Sequence, residues 1–381
     1  MKVKRIYKRG IPKSVVCPYC STEFPVSELM FKPSTGGEKQ RCEFPFWQRL
    51  WPIQPPMPPR KKGNGAVTMW DKVCKNEKCN GTLPITAGRV PSLLIGVVGA
   101  SQSGKTHYVT SLIEQLHGVV GTRFKAGLCA LDDATTRRFS RELKNPLFRD
   151  HLSLPLTVGA VPPLLYNLTF DGSLWNETEQ RSVTLALFDT AGENMNDLGK
   201  LRELAGYLSV AAGIIFIVDP LQSNSIRKSL PPTVPLPDFN EESSPSAIIG
   251  RIQNLLEKQN ILSSSQFSTP IAFTLTKCDV LKQSGIIPRA SRWNATEMHE
   301  KCFNGALHAD MEQDMDRLFQ KYEEGTRNNV KTMFPNHAFF GVSSTGCSVD
   351  PTTGRYKIVS PWRVEDPLLW LLAKLRVIPE K

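Results

Sequence analysis

The sequence predicts an α/β fold in which helices cover both faces of a mostly parallel sheet, giving three layers. Two observations lead to this prediction. A glycine-rich turn follows the apolar run 93–98 and precedes a segment with apolar residues at helical spacing, as in a strand, a loop and a helix. The run 212–218 is likewise uninterrupted, which is typical of parallel strands buried on both faces, and further strands are predicted at 164–170, 183–188, 270–275 and 338–342.

The glycine-rich turn matches the pattern G-x-x-x-x-G-K-[ST], a phosphate-binding loop at the start of a helix. Its backbone N–H groups surround an anion, its lysine reaches the β- and γ-phosphates, and its final hydroxyl binds Mg²⁺. We therefore predict a nucleotide site at this turn, with Lys105 also catalytic and Thr106 also a magnesium ligand. The predicted contacts are Gly99, Ala100, Ser101, Gln102, Ser103, Gly104, Lys105, Thr106 and His107.

Bulk composition favours a globular protein. Of 381 residues, 40% are hydrophobic, which supports one large or two unequal domains. No run is long enough for a transmembrane helix, and the basic N-terminal residues lack an apolar signal-peptide core. We therefore expect a cytoplasmic protein, in which nine cysteines with paired spacing indicate metal ligands and not disulfides.

Charge is distributed unevenly along the chain. Residues 1–90 hold 17 Lys and Arg against 6 Asp and Glu, whereas residues 91–381 hold 30 of each class. The whole formal excess of +11 therefore precedes the glycine-rich turn. This asymmetry predicts a basic module at 1–90 and a larger nucleotide-binding domain at 91–381.

The basic module contains two pairs of closely spaced cysteines that could share one tetrahedral Zn²⁺. Cys17 and Cys20 form one pair, Cys74 and Cys79 form the other, and Cys42 is predicted to be a non-ligand. The arrangement resembles a zinc ribbon with a long insertion. Aromatic residues at 44–51 and the proline run 55–59 in that insertion either pack on the module, which its small size favours, or dock a partner.

Polar residues follow the predicted strand at 183–188. Asp189 could hold Mg²⁺ through water, Gly192 could offer its N–H to a γ-phosphate, and Glu193 follows as a second catalytic candidate. Thr157 lies in a loop that precedes the predicted strands at 164–170 and 183–188. A switch threonine that closes over Mg²⁺ would lie in such a loop. The alternative that Thr157 is an ordinary loop residue with no role in the site is equally open.

The tetrapeptide 276–279, T-K-C-D, predicts guanine recognition. The Asp279 carboxylate could accept hydrogen bonds from the ring N–H and the exocyclic amine of guanine, a donor pair that adenine lacks. The Lys277 stem would pack on the base and ribose. Thr276 stands where asparagine is usual, so we expect a supporting bond to be lost. A further loop could meet the guanine carbonyl with its backbone; it contains Ser343, Ser344 and Thr345.

These motifs, in this order on strand ends, resemble those of P-loop GTPases of the Ras and translation-factor class, over about residues 92–378. The resemblance implies GTP or GDP with Mg²⁺ at the carboxyl edge of the sheet. The zinc-ribbon-like head and the run 213–222 are also similar to the double-GTPase families of bacterial multi-gene conflict systems. That similarity implies a switch in an antiviral defence or stress-response module.

Two departures from the Ras-like pattern imply slow hydrolysis. Ser101 stands where Ras-like proteins carry a glycine that leaves room for the attacking water and an arginine finger, and Glu193 replaces the water-positioning glutamine. A GTP-loaded scaffold that hardly hydrolyses, and a GTPase acting on RNA or ribosomes through its zinc head, stay open. We expect a protein partner at the basic module or the switch regions, with nucleic acid, an anionic membrane and a GTPase dimer as alternatives.

Overall fold

The computed structural model describes residues 12–43, 55–59, 69–79, 81–156, 161–175, 181–189, 206–258 and 267–381. Its strands are Ser14–Val16 (β1), Glu23–Pro25 (β2), Met30–Pro33 (β3), Gln40–Arg41 (β4), Trp70–Val73 (β5), Ser92–Gly99 (β6), Ala126–Ala130 (β7), Leu164–Phe170 (β8), Arg181–Asp189 (β9), Gly213–Val218 (β10), Ile271–Leu275 (β11) and His337–Gly341 (β12).

The described helices belong mainly to the C-terminal three quarters of the chain. They are Lys105–His117 (α1), Val119–Arg123 (α2), Asp133–Arg137 (α3), a π-helix at Arg138–Arg149, Asn224–Ser229 (α4), Pro245–Lys258 (α5), Cys278–Gln283 (α6), Gly305–Tyr322 (α7), Glu324–Met333 (α8) and Asp366–Lys374 (α9). Residues 206–210 are also helical.

A seven-stranded sheet forms the centre, in the order β12-β11-β10-β6-β9-β8-β7. The five strands from β12 to β9 in that order are mutually parallel, whereas β8 and β7 each run antiparallel to the preceding neighbour. The predicted mostly parallel sheet is therefore confirmed. Register brings Gly99 beside Ile217 and Val97 beside Asp189, so the ends of β6, β9 and β10 lie at one edge.

Alternation along β6 shows that the sheet is covered on both faces. Leu93, Ile95 and Val97 belong to one buried cluster together with residues of α1 and α9, whereas Leu94 and Val98 belong to a second cluster with residues of α5, α7 and α8. Each such side chain contributes about 1.5–3 kcal/mol on full burial. This is the three-layer arrangement that the continuous apolar runs predict.

The N-terminal region has a smaller apolar cluster of its own. β1 and β2 form a hairpin, and β3, β4 and β5 form a three-stranded sheet, with Phe24 and Phe31 among the buried residues. Thr86 and Thr184 join this region to β9 through their hydroxyl groups, which lie 2.6 Å apart. Val16 packs against the second cluster of the central sheet.

The sequence also predicts a helix over 132–143 and one or two helices over 296–324, and the structure differs from both predictions. The helix expected at 132–143 is instead α3, capped by Asp132, followed by the π-helix, which extends to Arg149 and contains Pro146. The helical segment expected to begin at 296 begins at Gly305, where the Asn304 side chain accepts a hydrogen bond from the N–H of Leu307 at 3.0 Å. This cap satisfies a helix-terminal N–H and sets the start of α7.

Candidate functional site

A cavity of about 640 Å³ lies at the carboxyl edge of the sheet. Three groups of residues that the sequence predicted separately line it together: the glycine-rich turn, the 276–279 tetrapeptide and the loop after β12. They converge because parallel strands end at the same edge of a sheet. The predicted residues in the lining are Ser101, Gln102, Gly104, Lys105, Thr106, His107, Thr276, Lys277, Asp279, Ser344 and Thr345.

The glycine-rich turn needs its glycines for two distinct reasons. A Cβ at Gly99 would lie 2.5 Å from the carbonyl oxygen of Ile217, so a side chain would force β6 and β10 apart. Gly104 has φ +90°, a conformation that L side chains rarely adopt, and it leads into α1. The buried Lys105 Nζ donates to the carbonyl oxygens of Gly99, at 3.1 Å, and Ala100, at 2.5 Å. Its ammonium group therefore lies within the turn.

Asp279 is fixed against the loop after β12. Its carboxylate accepts a hydrogen bond from the Ser343 hydroxyl at 2.7 Å, and the Ser343 oxygen accepts one from the N–H of Gly346 at 2.9 Å. Burial raises the pKa of Asp279, so additional donors would stabilise its charged form. Ser344 Oγ is buried and has no hydrogen-bond partner among the described residues, which suits a ligand with polar edges.

Thr276 connects the base-recognition motif to the glycine-rich turn. Its hydroxyl lies 3.0 Å from the carbonyl oxygen of Ser103 and 3.3 Å from that of Val218. The threonine hydroxyl therefore keeps a link to the turn, through the carbonyl oxygen of Ser103. A hydroxyl has a single hydrogen to share between both carbonyls, whereas an asparagine amide would offer two.

Sequence reasoning missed the role of Asp219. This buried residue follows β10, and its Oδ2 lies 2.6 Å from the Nζ of Lys277. Its Oδ1 accepts a hydrogen bond from the N–H of Leu221 at 2.9 Å, which orients the carboxylate. Lys277 itself has φ +53°, so both its backbone and its ammonium group are held at the edge of the cavity. An aspartate at the end of a buried apolar run was the available signal.

His107 contacts the loop that leads to Thr157 and a second segment, around Tyr356, to which the sequence analysis assigned no role in the site. Its Nε2 accepts a hydrogen bond from the N–H of Leu154 at 3.1 Å and lies 3.2 Å from the Tyr356 hydroxyl. The pKa of His107 is lowered to about 4, mainly because the imidazole is buried and to a smaller extent because the Lys277 charge is nearby. The imidazole is therefore neutral at pH 7 and can accept these bonds.

Four predicted site residues cannot be compared fully with the structure. Thr157, Gly192 and Glu193 lie outside the described residues. Asp189 is the last residue of β9, and its pairing with Val97 places its backbone near the glycine-rich turn. Its proposed magnesium role stays a prediction.

The four cysteines predicted as ligands form one cluster, with all sulfur atoms within 4.8 Å of one another. Cys17 Sγ lies 3.8 Å from Cys79 Sγ, and Cys20 Sγ lies 3.6 Å from Cys74 Sγ. A tetrahedron with Zn–S bonds of about 2.3 Å has S···S edges of about 3.8 Å, so the geometry fits zinc. Cys42 lies outside this cluster and donates to the carbonyl oxygen of Ser27 at 3.3 Å.

The surroundings of the cysteine cluster also suit a cation. Burial raises the pKa of the Cys17 thiol above its usual range, and it raises the pKa of Cys74 to about 11. Thiolates at these positions would need a positive partner, which Zn²⁺ supplies. Lys39 Nζ braces the second cysteine pair by donating to the carbonyl oxygens of Cys74, Asn76 and Cys79, at 3.3, 3.1 and 2.9 Å.

Within the described ranges, every helix is too short or too polar to cross a lipid bilayer.

The fold and the motifs at its strand ends define a P-loop protein of the GTPase class. The model of the double-GTPase 2 family matches residues 93–332, and the chain belongs to this family. The family resemblance that the sequence motifs indicated is therefore confirmed.

Two individual proteins are also similar to the chain. One is the putative ESX-1 scaffolding and assembly protein SaeC of Mycolicibacterium smegmatis, 21% identical over 95% of this chain and 99% of that protein. The other is the Arl6 BBS3 small GTPase of Trypanosoma brucei, solved with the nucleotide analogue GppNp. It is 14% identical, with a TM-score of 0.32 over 75% of this chain and 99% of that one.

Proposed function

We propose that this protein is a guanine-nucleotide-binding switch that binds GTP and GDP with Mg²⁺ and hydrolyses GTP slowly. The convergence of the glycine-rich turn, the 276–279 tetrapeptide and the loop after β12 on one cavity carries the proposal. Each group matches a different part of a guanine nucleotide, and a single ligand would contact all three. The division into a basic module at 1–90 and a nucleotide-binding domain at 91–381 belongs to the same proposal.

The glycine-rich turn would hold the phosphates. Lys105 would exchange its bonds to the turn carbonyls for bonds to phosphate oxygens, and backbone N–H groups of the turn would supply further donors. Thr106 lines the cavity directly after Lys105, and hydroxyl oxygens suit Mg²⁺. Asp189 and Thr157 are the other proposed magnesium ligands. Bound Mg²⁺ would neutralise charge on the β- and γ-phosphates.

Slow hydrolysis follows from the residues proposed around the γ-phosphate. Gly192 would donate its N–H, and Glu193 would stand where a neutral amide normally positions water. A carboxylate there would repel the phosphate charge, and the Ser101 side chain would crowd the attacking water. Intrinsic rates in this class are about 10⁻⁴ to 10⁻² per second, and we expect a value within that range.

Base selectivity would come from Asp279. The Ser343 hydroxyl already fixes one carboxylate oxygen, so the side chain is preorganised to accept from guanine. The test is competition of GDP and ADP against a fluorescent GDP analogue on the full chain with Mg²⁺. We expect a strong GDP preference, and Asp279→Ala to weaken GDP binding by about 100-fold or more without improving ADP binding. Asp133→Ala, a change at an exposed residue of α3 that does not line the cavity, is the matched control. Equal affinity of the parent for GDP and ADP would contradict the proposal.

A GTP-loaded scaffold is the second candidate. The name of the similar mycobacterial protein describes scaffolding and assembly, which favours a binding role with little turnover. Single-turnover hydrolysis of pre-bound GTP, with and without cell extract fractions, separates the two. Hydrolysis that a fraction accelerates supports the switch, whereas GTP that stays intact over many hours under every condition supports the scaffold.

The N-terminal module would hold one Zn²⁺ through Cys17, Cys20, Cys74 and Cys79 and present its basic surface to a protein partner. We propose a cytoplasmic protein acting in a bacterial defence or stress-response module, by resemblance to the conflict-system families. Action on RNA or ribosomes is the competing role. Salt-resistant binding of structured RNA to the full chain would favour that role over a protein partner.

A further inference from the structure

Two chain segments that are distant in sequence together form one wall of the cavity. Ser153, Leu154, Pro155 and Leu156 line the cavity, and so do residues of the connection between β12 and α9, including Tyr356. The two segments are about 200 positions apart in sequence. Their contacts decide how firmly this wall is closed.

Backbone hydrogen bonds join the segment at 151–156 to the segment at 354–356. Leu152 and Arg355 form an antiparallel bridge, in which the N–H of Tyr356 donates to the carbonyl oxygen of His151 at 2.7 Å. The N–H of Ser153 donates to the carbonyl oxygen of Gly354 at 3.3 Å. The guanidinium of Arg355 adds a bond to the carbonyl oxygen of Asp150 at 2.7 Å. Ser153, Gly354 and Arg355 are exposed and the other four residues are half-buried, so solvent competes for several of these bonds.

A less exposed side-chain contact then ties both segments to α1. The His107 Nε2 receives the Leu154 N–H at 3.1 Å and lies 3.2 Å from the Tyr356 hydroxyl, with the two rings edge to face at 6.0 Å. Nε2 can accept because the imidazole is neutral, as its lowered pKa indicates. His107 immediately follows Thr106, so the contact joins the wall directly to the phosphate-binding end of the site.

We propose that His107 and Tyr356 are positioning residues that hold the 153–156 wall closed against the nucleotide site and so slow nucleotide release. The ligand in this inference rests on the proposed function, whereas the closure itself does not. A nucleotide that lies among the glycine-rich turn, the tetrapeptide 276–279 and this wall leaves faster when the wall opens. Release is then governed by the shared contact at Nε2, because its partner Leu154 is buried, whereas the remaining links join exposed or half-buried residues.

The first measurement needs no nucleotide. Hydrogen exchange of the full-length, nucleotide-free protein is followed in peptides that cover residues 151–156. His107→Ala is expected to speed exchange of the Leu154 amide by about tenfold, because that N–H loses its acceptor. His107→Gln, whose amide oxygen can accept, should lie closer to the parent. Lys357→Ala, an exposed neighbour of Tyr356, should exchange like the parent. Unchanged exchange in His107→Ala would overturn the closure.

The second measurement follows release of a fluorescent GDP analogue into excess unlabelled GDP. Tyr356→Phe deletes only the hydroxyl and is expected to speed release by about threefold, Tyr356→Ala by about tenfold, with the preference for GDP over ADP kept. Lys357→Ala should release at the parent rate. Tyr356→Ala release within twofold of the parent would overturn control of release by the wall. Failure of the parent to bind GDP would contradict the proposed function alone, since the exchange experiment tests the closure separately.

Discussion

The cysteine cluster and the nucleotide cavity are both built from converging loops, but they depend on their surroundings in opposite ways. The cysteine cluster belongs to a small region whose buried set includes Cys17, Cys74 and Cys79, three of the proposed zinc ligands. The cavity rests on a seven-stranded sheet that is covered by apolar clusters on both faces. The difference teaches that a metal bound in the first region would stabilise the fold, whereas in the second region the fold positions the site.

Removing one of the proposed metal ligands should have the largest effect, and this effect should be confined to the N-terminal region. Structural zinc contributes about 10–16 kcal/mol in small zinc-binding peptides, far more than a small apolar cluster can replace. Cys17→Ser is therefore expected to lose bound zinc and the protection of the N-terminal strands, while the central sheet keeps its melting transition. Metal analysis and hydrogen exchange measure the two effects, with Cys42→Ser as the control. Full zinc retention in Cys17→Ser would contradict the assignment.

Changing the nucleotide site should leave its fold intact. Lys105→Ala removes the ammonium that lies within the glycine-rich turn, so we expect loss of triphosphate binding by about 100-fold or more. The central sheet should persist because its clusters do not use this side chain. Calorimetric titration with GTP and far-UV circular dichroism give the two readouts, and the exposed Lys228→Ala is the control. Collapse of the sheet in Lys105→Ala would show that the site does support its fold.

Acid should destabilise the central domain through buried histidines. Burial lowers the pKa of His299 to about 3 and that of His308 to about 4, below the unfolded value of about 6.5. The unfolded chain thus binds more protons, and stability falls as pH falls through about 6.5 to 4. Burial raises the pKa of Asp366 to about 7, which offsets part of this loss over the same range. We expect a net loss of about 1–3 kcal/mol between pH 7 and pH 5.

Thermal unfolding of the central domain at several pH values measures this loss. His299→Gln should reduce it, because glutamine does not titrate and its oxygen can accept the bond that His299 Nδ1 now receives from the N–H of Asn304. Unfolding that is independent of pH between 7 and 5 would contradict the role of the buried imidazoles.

The smallest expected effect concerns Asp219. Asp219→Asn keeps the shape of the side chain but weakens its pairing with Lys277, so Lys277 is held less firmly beside the base. GDP affinity should fall by about threefold to tenfold with little change in unfolding temperature. Asp133→Asn, at an exposed residue that does not line the cavity, is the matched control. A loss as large as that of Lys105→Ala would show that Asp219 does more than orient Lys277.

Contiguous motifs explain what the sequence could predict. The glycine-rich turn and the 276–279 tetrapeptide each place their functional groups within a few residues, and uninterrupted apolar runs indicate buried parallel strands. The contacts among His107, Leu154 and Tyr356 could not be predicted in this way, because His107 and Tyr356 are 249 positions apart. The pairing of Asp219 with Lys277 likewise depends on which strands are neighbours in the sheet. Sequence alone does not provide that order.

The absence of a side chain at Gly99 has a consequence for how this protein can evolve. The carbonyl of Ile217 lies where a methyl group would be, and Asp219 follows two residues later on the same strand end. A mutation to alanine would thus push outward the strand that carries the partner of Lys277. A side chain at Gly99, in the proposed phosphate-binding turn, would therefore also disturb the proposed base-recognition side of the site.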